Sequence, residues 1–188
     1  MANTSGKITA IELTTQSFAP FGKIFPLRDL RLPSSLPLRD ILDGKVPIGR
    51  PTVETDALAF WSGLLDVEMG EAISIGVFTV KQRRLVCNML ERHAAGPEIL
   101  IPLDACAMVM PFAPASDPTD PKAGPSRDKI VAFLLDGTMG LMSNKGAWHW
   151  VPYPLRATVT FVAIQKKGTY KEDTGFKSVT PGLKMVVE

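Results

Sequence analysis

The chain has only two histidines, and each sits in a stretch whose residue types and spacing could do chemistry. The first is "LERHAAGPEILIPL", residues 90–103. On a strand, side chains two apart share a face, so Glu91 and His93 point one way and Arg92 the other. "AAGP" then supplies a turn. Glu98 opens the returning run and is expected beside Glu91 and His93, since neighbouring strands lie only about 4.8 Å apart. The second stretch is "NKGAWHW", residues 144–150, where His149 stands between two of the three tryptophans. After a turn at 144–146, alternation puts Ala147 and His149 on one face, and Trp148 and Trp150 on the other. A packed strand is the plain explanation. The chemical one is an inward-facing set of two imidazoles and two carboxylates. Such a set serves as general acid and base, with Glu91 or Glu98 as base and His149 or His93 as acid. Lys145 is the leading partner for a substrate carboxylate if the alternation reaches back into the turn. Arg92 is a weaker one.

Positioning these residues falls to short apolar runs. "KITAIEL", "EAISIGVFTV", "RLVCNMLERH", "EILIPL", "ACAMVMPF", "KIVAFLLDG", "GLMSN", "AWHWVPY" and "ATVTFVAIQ" read as strands separated by Gly, Pro, Asn and Asp. Strand density of this kind, without intervening helices, predicts an all-β sandwich or barrel. One or two short helices are expected near the N-terminus, at "TTQSFAPFG" and at "PLRDILDG", residues 37–44. Two proline-rich segments, residues 27–56 and 113–128, read as loops. With 188 residues and no evident boundary, residues 1–188 form one domain. A net charge of +2 gives no case for nucleic acid or an anionic membrane as partner. Cys87 and Cys106 lack metal-type spacing and read as reduced, buried thiols. No apolar signal core or membrane-length run is present, so a cytoplasmic protein is expected.

The two histidine stretches resemble the paired motifs of the cupin superfamily. The first motif, His-x-His followed after a short gap by Glu, becomes Glu91-x-His93 and Glu98. The second, Pro-x-Gly-x-x-His, becomes Asn144-x-Gly146-x-x-His149. The resemblance implies a cupin-type β-barrel (a jelly roll). It also implies a divalent ion such as Mn, Fe, Ni or Zn on His93, Glu98 and His149, with Glu91 as a fourth ligand; that donor set suits a first-row metal. No organic cofactor is expected.

A narrower resemblance runs along nearly the whole chain. "IELTTQSFAPFGKIF", "ISIGVFTV", "LERH", "ILIPL", "VMPFAP", "IVAFLLDGTMGLMSNKGAWHW" and "TVTFVAIQ" are similar, in order, to the ureidoglycolate lyase (ureidoglycolate hydrolase) family. It implies a homodimer that cleaves ureidoglycolate to glyoxylate and urea in purine degradation. Apolar Trp148 and Trp150, if exposed, would add to the case for a covering partner. His93, Gly146, Trp148 and His149 match the family pattern, which makes Trp148 a candidate substrate contact. Glu98 stands where the family usually has Gln, Ser143-Asn144-Lys145 where it has Tyr-His-Arg, and Trp150 where it has His. These departures leave two alternatives open. One is a repurposed cupin acting on another small carboxylic acid, as dehydratase, isomerase or decarboxylase. The other is a cupin that binds a small molecule without catalysis.

Overall fold

In the computed structural model the described residues are 6–27, 53–54, 59–60, 64–70, 72–117, 120 and 123–188. The helix expected at 37–44 and most of the first proline-rich segment lie outside them. The fold is all-β. Its strands are β1 (Lys7–Glu12), β2 (Gly22–Pro26), β3 (Val53–Glu54), β4 (Ala59–Phe60), β5 (Ile73–Lys81), β6 (Val86–His93), β7 (Glu98–Pro102), β8 (Met108–Ala113), β9 (Val131–Leu135), β10 (Met139–Ser143), β11 (Trp148–His149), β12 (Tyr153–Pro154), β13 (Thr158–Lys166) and β14 (Thr174–Val186). Among the described residues two single-turn α-helices accompany them, α1 (Thr15–Phe18) and α2 (Thr169–Glu172), with one 3-10 turn at Arg127–Lys129. The expected N-terminal helix is α1. Thr14 caps it by accepting from the Ser17 backbone N–H, while the Ser17 hydroxyl accepts from the Thr14 N–H, a reciprocal pairing that fixes a helix start. No helix among the described residues is long and apolar enough to cross a membrane.

The strands form two large sheets. One runs β11-β6-β14-β1-β9-β8-β12, and β11 also pairs with β8, which closes the sheet on itself. The other runs β2-β10-β7-β13-β5. Between them lies a core drawn from both sheets and α1, including Phe18, Met110, Phe112, Phe133, Leu141 and Phe161. Phe18 meets Phe112 and Phe133 edge-on, with centroids 4.9 and 5.4 Å apart, the geometry that aromatic quadrupoles favour. A second cluster, with Cys87, Leu90, Ala113, Trp148 and Leu183, comes from the seven-stranded sheet and its connections alone.

Three expectations change. β14, the longest strand, interrupts its pairing with β6 between Ser178 and Leu183, and its Pro181-Gly182 hides it from a period-two reading. "AWHWVPY" is not one strand but two two-residue pieces, β11 and β12, divided by Pro152. "AAGP" does not make a hairpin either. β6 belongs to the closed sheet and β7 to the five-stranded one, so Glu98 faces His93 across the interior instead of lying beside it.

Candidate active site

Register places each functional side chain. His149 on β11 pairs with Glu91 on β6, His93 at the end of β6 pairs with Thr174 at the start of β14, and Glu98 at the start of β7 pairs with Gln165 on β13. The Asn144–Gly146 turn carries the chain from β10 in one sheet to β11 in the other. Gly146 has φ +77°, which suits glycine, and its N–H donates to the His93 carbonyl at 2.8 Å. That bond ties the turn to the end of β6. Glu98 Oε2 consequently lies 2.9 Å from His149 Nε2 and 3.6 Å from His93 Nε2, and all three residues are buried.

Each imidazole is oriented from behind. His149 Nδ1 lies 3.1 Å from the Ala147 carbonyl, which can only accept, so Nδ1 carries a proton. The Thr174 hydroxyl donates to the Thr169 carbonyl at 3.0 Å. Its oxygen is therefore left to accept from His93 Nδ1 at 3.2 Å. Both Nε2 atoms thus point into the site, and both are buried without a well-directed hydrogen bond despite their closeness to Glu98. Buried polar atoms are normally paired, so this pair signals a ligand or a proton in transit.

The surroundings push the two carboxylates apart. Burial would raise Glu98, but the close contact and charge of His149, and then of His93, outweigh it and hold the carboxyl well below the usual range. Gln165 Nε2 also donates to Glu98 Oε1. Burial raises Glu91, with the charge of His149 opposing and that of Glu98 adding to the shift. Burial would lower His149, yet Glu98 and then Glu91 raise it above its ordinary 6.5. Split carboxylates of this kind mark distinct acid–base roles.

The four residues line a cavity of about 410 Å³ together with Leu100, Met110, Ala163 and Gln165. Phe78, Trp150, Tyr170 and Phe176 also line it. Lys145 is exposed in the turn, outside the alternation that would have aimed it inward, and does not line the cavity. Arg92 faces the opposite side of β6, where its Nη1 donates to the Ser116 hydroxyl at 3.0 Å and to the Ser116 and Asp117 carbonyls. Trp148 is likewise on that side, 1% exposed within the single chain, so it neither lines the cavity nor needs a covering partner. Trp150, expected on the face away from His149, lines the cavity because β11 ends at His149 and alternation lapses. Sequence reasoning also passed over Gln165 and Thr174. Their only signal is cross-strand register, which a single sequence does not display.

The donor atoms of Glu91, His93 and His149 lie within 4.8 Å of one another. Two Nε2 atoms aimed into one site, each ring held by a hydrogen bond at Nδ1, are what a metal-binding histidine pair requires. The residues fit a divalent ion, with Glu98 adjacent rather than inside this trio.

A two-sheet barrel with imidazoles and carboxylates converging between its sheets is a cupin-type pocket. Within that class the chain belongs to the ureidoglycolate lyase family, whose model matches residues 5–185. Among similar proteins are the ureidoglycolate lyases of Burkholderia cepacia, 29% identical over 83% of this chain and 77% of that one, and of Burkholderia mallei strain NCTC 10229, 28% identical over 86% and 84%. The match to that of Azotobacter vinelandii, at 28% identity, spans only about half of each protein, 51% and 54%. RmlC from Streptococcus suis superposes with a TM-score of 0.32 at 11% identity, covering 50% of this chain and 43% of that one.

Proposed function

We propose that the chain is a lyase that cleaves ureidoglycolate to glyoxylate and urea by proton transfer among Glu91, Glu98 and His149. The observation that carries this reading is the meeting of two buried Nε2 atoms at one carboxylate, 2.9 and 3.6 Å away, with a second, raised carboxyl alongside. Glu91, the stronger base of the two carboxylates, takes the substrate's hydroxyl proton. The oxygen's electron pair closes to a carbonyl as the C–N bond breaks, and His149 Nε2 gives its proton to the departing urea nitrogen. Glu98 stays ionised and holds His149 protonated until that moment. Return of the proton from Glu91 to His149 resets the site. A divalent ion on Glu91, His93 and His149 would supply Lewis-acid polarisation of a substrate oxygen. Glu98 is then the group left to exchange a proton.

The test is release of glyoxylate and urea from ureidoglycolate by the purified chain, before and after treatment with a chelator. Activity that survives chelation assigns the residues as the acid–base set, whereas loss restored by one metal assigns them as ligands. No product in either state overturns the reading. One observation favours a second reading, a repurposed member acting on another small molecule: among the described residues no Lys or Arg lines the cavity, so a substrate carboxylate finds neither of the usual cationic side chains there. We also place the homodimer here as a proposal, moved from the tryptophans to β5, where Ile73, Ile75 and Val77 are exposed. Light scattering at micromolar concentration tests it, and a monomer rejects it.

A further inference from the structure

The cavity has two unlike halves. Its floor, the buried end, is ionisable, with His93, Glu98 and His149 buried and Glu91 half-buried, while the rings among its lining run out to exposed Phe176 and Tyr170 at the mouth. Trp150 and Phe176 meet edge-to-face there, with centroids 6.3 Å apart at 79°. Phe78, on β5 of the opposite sheet, lines the same cavity and is itself backed by a stacked Phe161 at 5.2 Å and 9°. Trp150 follows His149 directly in the chain, so the ring wall begins one residue from the reacting group. It also stands where the family pattern has a histidine, so a polar position has become an apolar one.

None of these rings is needed to handle a molecule as small and as densely polar as ureidoglycolate. Its hydroxyl, carboxylate and ureido groups all want hydrogen-bond partners, and a wall of Trp and Phe offers almost none. A pocket with a few convergent polar groups under an apolar wall instead orients a ligand that is itself two-sided. The cations that would receive a strongly anionic body are engaged elsewhere. Arg92 is bound to Ser116 and Asp117 on the far face of β6. Arg83 donates to the Pro152 and Val151 carbonyls at 2.7 and 2.9 Å and lies over the Tyr153 ring.

We propose that the substrate of this chain carries a flat apolar body, an aromatic or unsaturated ring, attached to the hydroxyl- or carbonyl-bearing carbon that reacts. The ring lies against Trp150 and Phe176 at the mouth, and the reacting carbon reaches the Glu91–His149 floor. This rests on the acid–base reading of that floor and deepens the second reading above, a repurposed member acting on another small molecule, by naming the class of that molecule.

The experiment uses the full chain and two uncharged probes with the same α-hydroxy amide head, glycolamide and mandelamide, which differ by a phenyl ring. Calorimetric titration should show mandelamide binding about tenfold tighter or more, the scale of one ring seated on aromatic neighbours. In Trp150→Ala and in Phe176→Ala the ratio of the two affinities should fall toward one. Trp150→Phe, which keeps a ring in place, should retain most of the preference, so a collapse caused by misfolding is distinguished. Equal affinities in the wild-type chain, or a preference that survives both alanine variants, overturn the ring-binding proposal and leave the acid–base site standing. His149→Ala should weaken both probes. If it weakens neither, the floor itself has been misassigned and both readings fall. Binding of neither probe to the wild-type chain also overturns the proposal.

Discussion

The two faces of the closed sheet bury polar residues in opposite ways. On one face Arg92 is buried with Trp148, and its guanidinium is held: three oxygens accept from its Nη1, and the guanidinium carbon lies 4.9 Å from the indole centroid. The Trp148 indole N–H donates to the same Ser116 hydroxyl at 2.9 Å. On the other face, one residue away along each strand, His93 and His149 are equally buried, but their Nε2 atoms meet only the Glu98 carboxylate and lack a well-directed hydrogen bond. A buried polar group tied to backbone and side-chain oxygens is holding the fold. One oriented from behind and left open in front is available for chemistry. Burial alone would not have separated Arg92 from His93.

Breaking the structural face should give the largest effect on stability. Trp148→Ala removes a side chain that is 1% exposed and packed among Cys87, Leu90 and Ala113, and should cost about 3–5 kcal/mol. Denaturant unfolding would measure this, and turnover per folded molecule should change much less. His149→Ala should do the reverse. Its stability loss should be smaller, but turnover on the true substrate should fall roughly a hundredfold or more, the scale of a positioned acid–base group. If the two neighbouring substitutions have the same profile, the distinction between the faces is wrong.

A smaller effect should follow from loosening what holds an imidazole in place. Thr174→Val keeps the shape of the side chain but leaves His93 Nδ1 without its acceptor. We expect metal affinity or turnover to fall about tenfold, the lower end for loss of a partner behind a ligand, and Thr174→Ser to restore most of it. A serine variant as poor as the valine would show that the methyl group, and not the hydrogen bond, was important.

Much of this site was legible because strand alternation is a local rule. It separated Arg92 from Glu91 and His93, and Trp148 from His149, and the structure keeps both separations. The rule fails where its premise ends. Lys145 is in a turn and Trp150 lies past the end of a two-residue strand, so neither obeys it. The all-β class was evident from strand density, yet β14 escaped notice because Pro181 and Gly182 break its pattern. Gln165 and Thr174 were out of reach, for each is defined by a partner in another strand. Which sheet each strand joins is also a long-range property, and it turns the expected 90–103 hairpin into two walls facing each other.

The subtlest difference between the faces should appear as pH dependence of stability in metal-free protein. Glu98 is held below the ordinary carboxylate value of 4.5. Its contribution is therefore fully present above 4.5 and is lost as pH falls through the folded value. His149 is raised above 6.5, so its contribution is fully present below 6.5 and is lost as pH rises through the folded value. Glu91, raised by burial, subtracts stability progressively as pH climbs above 4.5. The ion pair should thus favour the fold most between about 4.5 and 6.5, with a decline on the alkaline side that belongs to His149 and Glu91. Thermal unfolding across this range should show that decline, and His149→Phe should flatten the part above 6.5. Arg92→Met, on the other face, should lower stability at every pH without changing the shape of the curve. An alkaline decline that persists undiminished in His149→Phe would assign it to other groups and break the pairing of His149 with Glu98.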